Sequence, residues 1–153
     1  MRRTTTALAA LVVLVAVIAQ AALGAKPIRE PLPPDNSPIP ASVCGFQIDV
    51  ETLSGKGTAL YFEDRFMITG QLKLRLTNAD DASKTLDLNI PGPGVFDESS
   101  LRGTGPWLLY FEPGDVGPGS PAMLVFVRGN FTIDETGYHL LGGNQIDLCP
   151  LLA

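Results

Sequence analysis

The chain has two cysteines, and the segment with strand-like sequence patterns lies between them. Cys44 follows a proline-rich segment, and Cys149 lies just before the C-terminus. A disulfide between them would remove much of the freedom of the unfolded chain, which is worth about 4 to 5 kcal/mol in the loop-entropy treatment. We expect this bond to form; two free buried thiols are the alternative.

The first predicted strand covers residues 43–51. Cys44, Phe46, Ile48 and Val50 alternate there with polar residues or glycine, which is the period-2 pattern of a half-buried β-strand. If the last strand ends at the second cysteine, the disulfide ties the first strand to the last. The sequence therefore predicts an all-β fold: a single small antiparallel β-barrel of about eight strands, with a β-sandwich as the alternative.

The middle of the chain supplies further strand patterns. Residues 52–58 hold two glycines and are predicted to form a turn. The most regular alternation follows at residues 66–77, where Gly70 is expected to mark a bend or bulge. A shorter alternation at residues 85–90 should pair back on the preceding strand. No amphipathic helix of three turns is predicted anywhere in the chain.

The N-terminal region divides into two segments before the folded domain. Residues 1–25 have the pattern of a secretory signal, with Arg2 and Arg3 followed by a short apolar run and then small residues. We expect cleavage near Ala25 and a secreted, extracellular product; an uncleaved membrane anchor is the alternative. Residues 26–41 contain six prolines and are predicted to form an arm or linker. Residues 42–153 form the predicted β-barrel domain.

The charge of the chain argues against two classes of partner. Beyond residue 25 there are sixteen acidic and nine basic residues, a net charge of −7. Binding to nucleic-acid phosphates requires grouped lysines and arginines, and the chain has no such group. Anionic membrane surfaces are disfavoured for the same reason, and we expect no stable membrane insertion after the signal is removed.

The sequence offers few candidates for catalysis or metal binding. His139 is the only histidine, so any Ser-His-Asp or Cys-His site would have to use it. One histidine and two distant cysteines do not form a zinc ligand set. We therefore predict no catalytic residues, no metal and no cofactor. Four acidic pairs are interpreted as turn residues, with a calcium site or a glycosidase pair as the alternatives: Glu63-Asp64, Asp80-Asp81, Asp97-Glu98 and Asp134-Glu135.

One predicted hairpin is apolar on both of its faces. Its two runs are residues 107–111 and 122–127, and neither alternates with polar residues. The outward side chains must be covered by the proline-rich arm, a second copy of the chain, a protein partner or a ligand. The candidate interaction surface consists of Trp107, Leu109, Phe111, Leu124 and Phe126.

Several segments together resemble a known family. They are Cys-Gly-Phe at 44–46, Leu-Lys-Leu-Arg-Leu-Thr-Asn at 72–78, Leu-Asn-Ile-Pro-Gly-Pro-Gly at 88–94, Gly-Thr-Gly-Pro-Trp-Leu-Leu at 103–109 and Asp-Leu-Cys at 147–149. The chain resembles a family of small exported proteins of actinobacteria. The resemblance implies a β-rich exported domain and supplies no catalytic residues. Similarity to allene oxide cyclase and dirigent barrels is one of size and strand pattern, and it transfers no site.

These patterns lead to three hypotheses for function. The first is a non-enzymatic extracellular binding or interaction module, whose apolar hairpin would meet a protein partner or a second copy of the chain. The second is a small-barrel enzyme of the cyclase or dirigent kind, or a carrier of a small apolar ligand; a cavity with a few polar groups would favour it, whereas the predicted interior is filled and dry. The third is a secreted inhibitor of hydrolases that uses an exposed loop at residues 112–121.

Overall fold

The computed structural model describes residues 26–153, which form an all-β domain with two one-turn helices. The predicted signal sequence at residues 1–25 lies outside the described residues. The elements are β1 (Ile28–Leu32), α1 (Ala41–Cys44), β2 (Ile48–Tyr61), β3 (Phe66–Asn78), β4 (Thr85–Asn89), β5 (Gly94–Phe96), β6 (Leu101–Phe111), β7 (Met123–Asp134), β8 (Gly137–Asp147) and α2 (Cys149–Leu152).

The strands form one antiparallel sheet in which neighbours in sequence are neighbours in space. β4 and β5 both pair with β3 and follow one another along its edge, so they act as two halves of one strand. Pro91 and Pro93 separate the halves because proline has no N–H for the ladder. The prediction of about eight antiparallel strands is confirmed. The predicted closure is not, because within residues 26–153 the sheet ends at β1 and β8 and stays open.

β2 is one strand of 14 residues, and the turn predicted at residues 52–58 is wrong. The chain passes through Gly55 and Gly57 without leaving the ladder, and Gly57 pairs with Gly70 of β3. A register shift between Thr52 and Ser54 bends the strand at this place. The two glycines therefore belong to a bend within a strand, which the alternation pattern alone could not distinguish from a turn.

A line of glycines crosses the sheet at this bend, from β2 to β8. Register places Gly57 beside Gly70, and Gly105 beside Gly129, which in turn is paired with Gly143. Gly92 joins the two groups, since its N–H donates to the carbonyl of Pro106 and the β3–β4 ladder, continued, sets it opposite Gly70. We call this row the glycine line: Gly57, Gly70, Gly92, Gly105, Gly129 and Gly143.

The glycine line lets neighbouring strands approach backbone to backbone. A Cβ atom added at Gly129 would overlap the carbonyl oxygen of Gly142. The bend that results is sharp: the rings of Phe111 and Tyr138 lie 5.6 Å apart, centroid to centroid. Phe111 on β6 is paired with Met123, and Tyr138 on β8 is paired with Ile133. These two partners lie ten positions apart on β7, which is about 33 Å along a straight strand. The β6–β7 hairpin is therefore folded back on itself.

The two faces of this hairpin belong to two different hydrophobic clusters. Cluster one lies between the sheet and both helices, and cluster two lies inside the folded hairpin. The buried members of cluster one are Ile39, Val43, Ile48, Leu76, Leu124, Phe126, Leu148 and Leu152. The buried members of cluster two are Leu109, Phe111, Val125, Val127 and Phe131, with Val116 and Tyr138 packed against them.

The disulfide joins Cys44 to Cys149, as predicted, with 5.3 Å between their Cα atoms. Its setting differs from the prediction, because Cys44 ends α1 and Cys149 begins α2, so that the bond links two helices instead of two strands. α2 is held further by Asn78, whose buried side-chain amide donates to the carbonyl of Leu152 at 2.9 Å. The two helices and the disulfide together close one side of cluster one.

Alanine at Gly129 should be far more damaging than alanine at Gly142. The first methyl group overlaps a carbonyl oxygen of the neighbouring strand, whereas the second meets nothing within 4 Å. We expect Gly129→Ala to lower the free energy of unfolding by about 3 kcal/mol, and Gly142→Ala to change it by less than about 0.5 kcal/mol. Urea denaturation of both variants measures this. Equal stability of the two would show that the close approach at the glycine line does not matter.

Replacing both cysteines by alanine should destabilise the domain. The bond closes a loop with a sequence separation of 105 residues. We expect the free energy of unfolding to fall by about 2 to 5 kcal/mol, because the unfolded chain regains freedom and because the helices lose their mutual anchor. The measurement compares urea midpoints of the double variant and the oxidised wild type. An unchanged midpoint would contradict this role of the bond.

Candidate functional site

The proline-rich arm is part of the folded domain and not a free linker. β1 pairs with the second half of β2, and further along Ile39 forms a β-bridge with Ile48. Between these two attachments, residues 33–38 leave the edge of the sheet. One contact holds the middle of this span: the side-chain oxygen of Asn36 accepts a hydrogen bond from the N–H of Thr52 at 2.8 Å. Residues 26–41, which include β1, therefore form a strap along one side of the sheet.

A groove of about 480 Å³ lies between this strap and the bent sheet. Most of its lining is apolar. The apolar side chains come from the strap, β2, β3, the end of β4 and β6: Leu32, Pro33, Pro34, Ile39, Val50, Ile68, Leu72, Leu74, Ile90, Pro106, Trp107, Leu108 and Tyr110. Ile39 and Leu74 are buried, whereas Ile68, Leu72 and Ile90 are half-buried and present apolar surface to the groove.

The floor of the groove follows the glycine line. Gly57, Gly70 and Gly92 all belong to the lining. They lie side by side, on β2, on β3 and in the segment between β4 and β5. Because they have no side chains, the floor there consists of backbone. The bend that shapes the fold thus also makes the space for the groove.

A small number of polar residues also line the groove: Asp35, Ser37, Lys56, Thr69 and Gln71. The Asp35 carboxylate accepts a hydrogen bond from the N–H of Ser37 at 2.9 Å. Hydrogen bonds from Ser37 hold the pKa of Asp35 below its usual value, so this carboxylate is ionised at neutral pH. Its main contact is within the strap itself, and it shapes the turn there.

The five residues of the predicted interaction surface do not form one exposed surface. Leu109 and Phe111 are buried in cluster two, and Leu124 and Phe126 are buried in cluster one. The physical reason is that the folded hairpin covers one of its own faces, while the strap residues and the helices cover the other. Trp107 alone is half-buried, and it lines the groove.

His139 is the third residue of β8, just after the β7–β8 turn, and its side chain lies beside Asp134 and Thr136. Its Nε2 atom is 2.8 Å from the Thr136 hydroxyl oxygen and 3.8 Å from the Asp134 carboxylate. The Thr136 hydroxyl donates to Asp134. A catalytic histidine would accept the proton of the nucleophile, but the Thr136 proton is directed to Asp134 and not to His139. All three side chains are also solvent-accessible. The arrangement is that of a hydrogen-bonded turn.

Three of the four acidic pairs act in the same way, with one carboxylate accepting hydrogen bonds from the turn that follows it. Asp81 accepts from Ser83, Asp97 accepts from Ser100, and Asp134 is the residue described above. Among residues 26–153, no group of three or more His, Cys, Asp or Glu side chains is placed to hold a metal ion.

The loop at residues 112–121, which the inhibitor hypothesis uses, is tied down internally. The N–H of Glu112 donates to Asp115, and the N–H of Gly114 donates to the carbonyl of Ser120. Val116 points back into cluster two. The loop therefore closes the open side of the folded hairpin.

The groove does not follow from the sequence patterns, because they indicate only an arm or linker at residues 26–41, a turn at residues 52–58 and an isolated bend or bulge at Gly70. The signal was the glycine spacing along consecutive strand patterns, which places the glycines in one row only when the register is known. No helix in residues 26–153 is long and apolar enough to cross a membrane. Comparison with protein-family models, with curated proteins and with solved structures finds no match to this chain.

The acidic turns predict a loss of stability in acid. Hydrogen bonds from Ser83, Ser100 and Thr136 lower the pKa values of Asp81, Asp97 and Asp134, respectively. A carboxylate whose folded pKa is depressed stabilises the fold above its unfolded pKa of about 3.9, and this contribution disappears as pH falls through the folded pKa. Urea midpoints should therefore drop between pH 5 and pH 3. The triple variant Asp81→Asn, Asp97→Asn, Asp134→Asn should show a smaller drop; an equal drop would contradict this assignment.

Proposed function

We propose that this protein is a non-enzymatic extracellular binding module whose groove takes a small apolar molecule. The observation that carries the proposal is the groove itself, which combines about 480 Å³ of space with a mainly apolar lining and a few polar groups. Ligand sites for small molecules fall in the range of about 300 to 1,000 Å³ and have this composition. The disulfide and the signal-like pattern of residues 1–25 support an extracellular location.

Two walls of the groove are held by contacts that do not depend on a ligand. Its strap wall is paired to β2 at two places, and its far wall includes Trp107, whose indole N–H donates to the carbonyl of Pro93 at 3.3 Å. Ile39 of the lining is itself a member of cluster one, and Val50, Ile90 and Leu108 of the lining pack against that cluster, which the disulfide helps to close. A preformed site loses less entropy on binding than one that must be ordered by its ligand.

The chemistry of the lining favours binding over turnover. The ionisable groups of the groove are Asp35, Lys56 and Tyr110, and none of the residues that line it is a histidine or cysteine. Asp35 is already engaged by Ser37. Burial of about 300 Å² of ligand surface would contribute about 7 kcal/mol, part of which offsets the entropy lost on association. Because 1 mM corresponds to about 4 kcal/mol and each further 1.4 kcal/mol to a tenfold change, we expect Kd values of about 0.1 to 1 mM.

Native mass spectrometry of the protein purified from the medium of its own host tests this function directly. We expect a non-covalent adduct of small mass that is lost on denaturation. In parallel, the neutral dye N-phenyl-1-naphthylamine, which emits strongly in apolar surroundings, should bind the purified protein at one site. The absence of both an adduct and dye binding would overturn the proposed function.

A polar side chain in the groove wall should weaken dye binding. Leu72 lines the groove and is half-buried. Leu72→Asn therefore replaces an apolar side chain by an amide that a bound dye would desolvate, which costs free energy. We expect the Kd of N-phenyl-1-naphthylamine to rise about tenfold, measured by its emission. Leu53→Asn is the matched control, because Leu53 is on the same bend of β2, is 37% exposed and is not part of the lining. Equal effects of the two substitutions would place the dye elsewhere.

A further inference from the structure

The glycine line is covered by side chains at both ends of the groove and is bare between them. At one end, a Cβ atom added at Gly57 would lie 3.3 Å from the side chain of Leu32, which therefore rests on this glycine. At the other end, a Cβ atom at Gly92 would overlap the indole of Trp107. Gly70, between them on β3, is exposed and lines the groove.

The protein itself repeatedly places flat rings on such glycines. The indole of Trp107 extends from Gly92 over Gly94, where an added Cβ would lie 2.7 Å from ring carbons. Gly103 is covered in the same way by the ring of Phe131. Trp107 and Phe131 meet edge to face, with their ring centroids 5.6 Å apart. Bare strand backbone in this sheet is thus a surface on which aromatic rings pack.

We propose that the groove selects a flat, neutral ring system, which lies over Gly70 between Leu32 and Trp107. This inference rests on the proposed function and names the class of ligand that the groove takes. Trp107 is the specificity-determining residue, because its indole covers Gly92 beside the bare floor and its hydrogen bond to Pro93 fixes the orientation of the ring.

Two physical arguments favour a ring over a flexible chain. The floor at Gly70 has no side chain, so the face of a planar molecule contacts its backbone directly, and a second aromatic ring beside Trp107 gains the offset-stacked or edge-to-face attraction that an alkyl chain lacks. A planar molecule also enters without losing rotamer freedom, whereas an alkyl chain must be ordered along its length. Neutral charge follows from the mainly apolar lining, in which a buried ion would be costly without a partner.

The test compares two probes of equal carbon count, 2-naphthol and 1-decanol, which have ten carbons and one hydroxyl group each. Isothermal titration calorimetry with the full mature protein measures both Kd values. We expect 2-naphthol to bind at least tenfold more tightly than 1-decanol. In Trp107→Leu the preference should fall to less than threefold, whereas Trp107→Phe, which keeps a ring, should retain most of it. Circular dichroism shows whether each variant is folded.

The outcomes separate this inference from the function on which it rests. Binding of 1-decanol with equal or greater affinity would overturn the ring preference and leave the apolar groove in place. No binding of either probe by the wild-type protein would overturn both. If Trp107→Leu fails to fold, the ratio of the two wild-type affinities together with that of Trp107→Phe decides the question. A preference that is unchanged in folded Trp107→Leu would remove Trp107 from its role in specificity.

Discussion

The contact on which this structure depends is that of one strand backbone against the next along the glycine line. At Gly129 the carbonyl of Gly142 on the neighbouring strand occupies the space that a side chain would need. The bend lets the β6–β7 hairpin enclose cluster two by itself. It also frees the opposite face of the hairpin to form cluster one with the helices. Two cores therefore arise from one sheet, without a second layer of strands.

The same bend connects architecture to the candidate site. A sheet bent at residues with side chains would fill its own concave side, but here the bend is bare and leaves a groove. The strap then supplies the missing wall, since its six prolines keep it extended and unable to pair continuously with β2. Its attachment at Ile39 leads directly into α1 and the disulfide. The groove thus depends on contacts that run from the N-terminal arm to the last residues of the chain.

Much of the fold could be predicted from local patterns, because alternation and cysteine content are visible in the sequence. The alternation at residues 66–77 gave β3, and the two cysteines gave the disulfide. Continuity was lost at Gly55 and Gly57, where a bent strand and a turn have the same composition. The burial of Leu109 and Phe111 was also out of reach, since it requires knowing that one hairpin folds onto itself. Predicting the groove requires both the continuity of β2 and the folding of the hairpin. Neither can be inferred from the sequence of one segment alone.

The position of the disulfide divides the molecule mechanically. Residues between Cys44 and Cys149 are enclosed by the covalent bond, whereas the strap, including β1, lies outside it. A pulling force applied between the two chain ends would pass through the disulfide and leave the main sheet unloaded. Within residues 26–153, such a force would act on the strap, which few ladder pairs and the Asn36 contact hold, and on the part of α2 beyond Cys149, which Asn78 holds. Tension on the N-terminal end would thus first detach the strap, which is one wall of the groove.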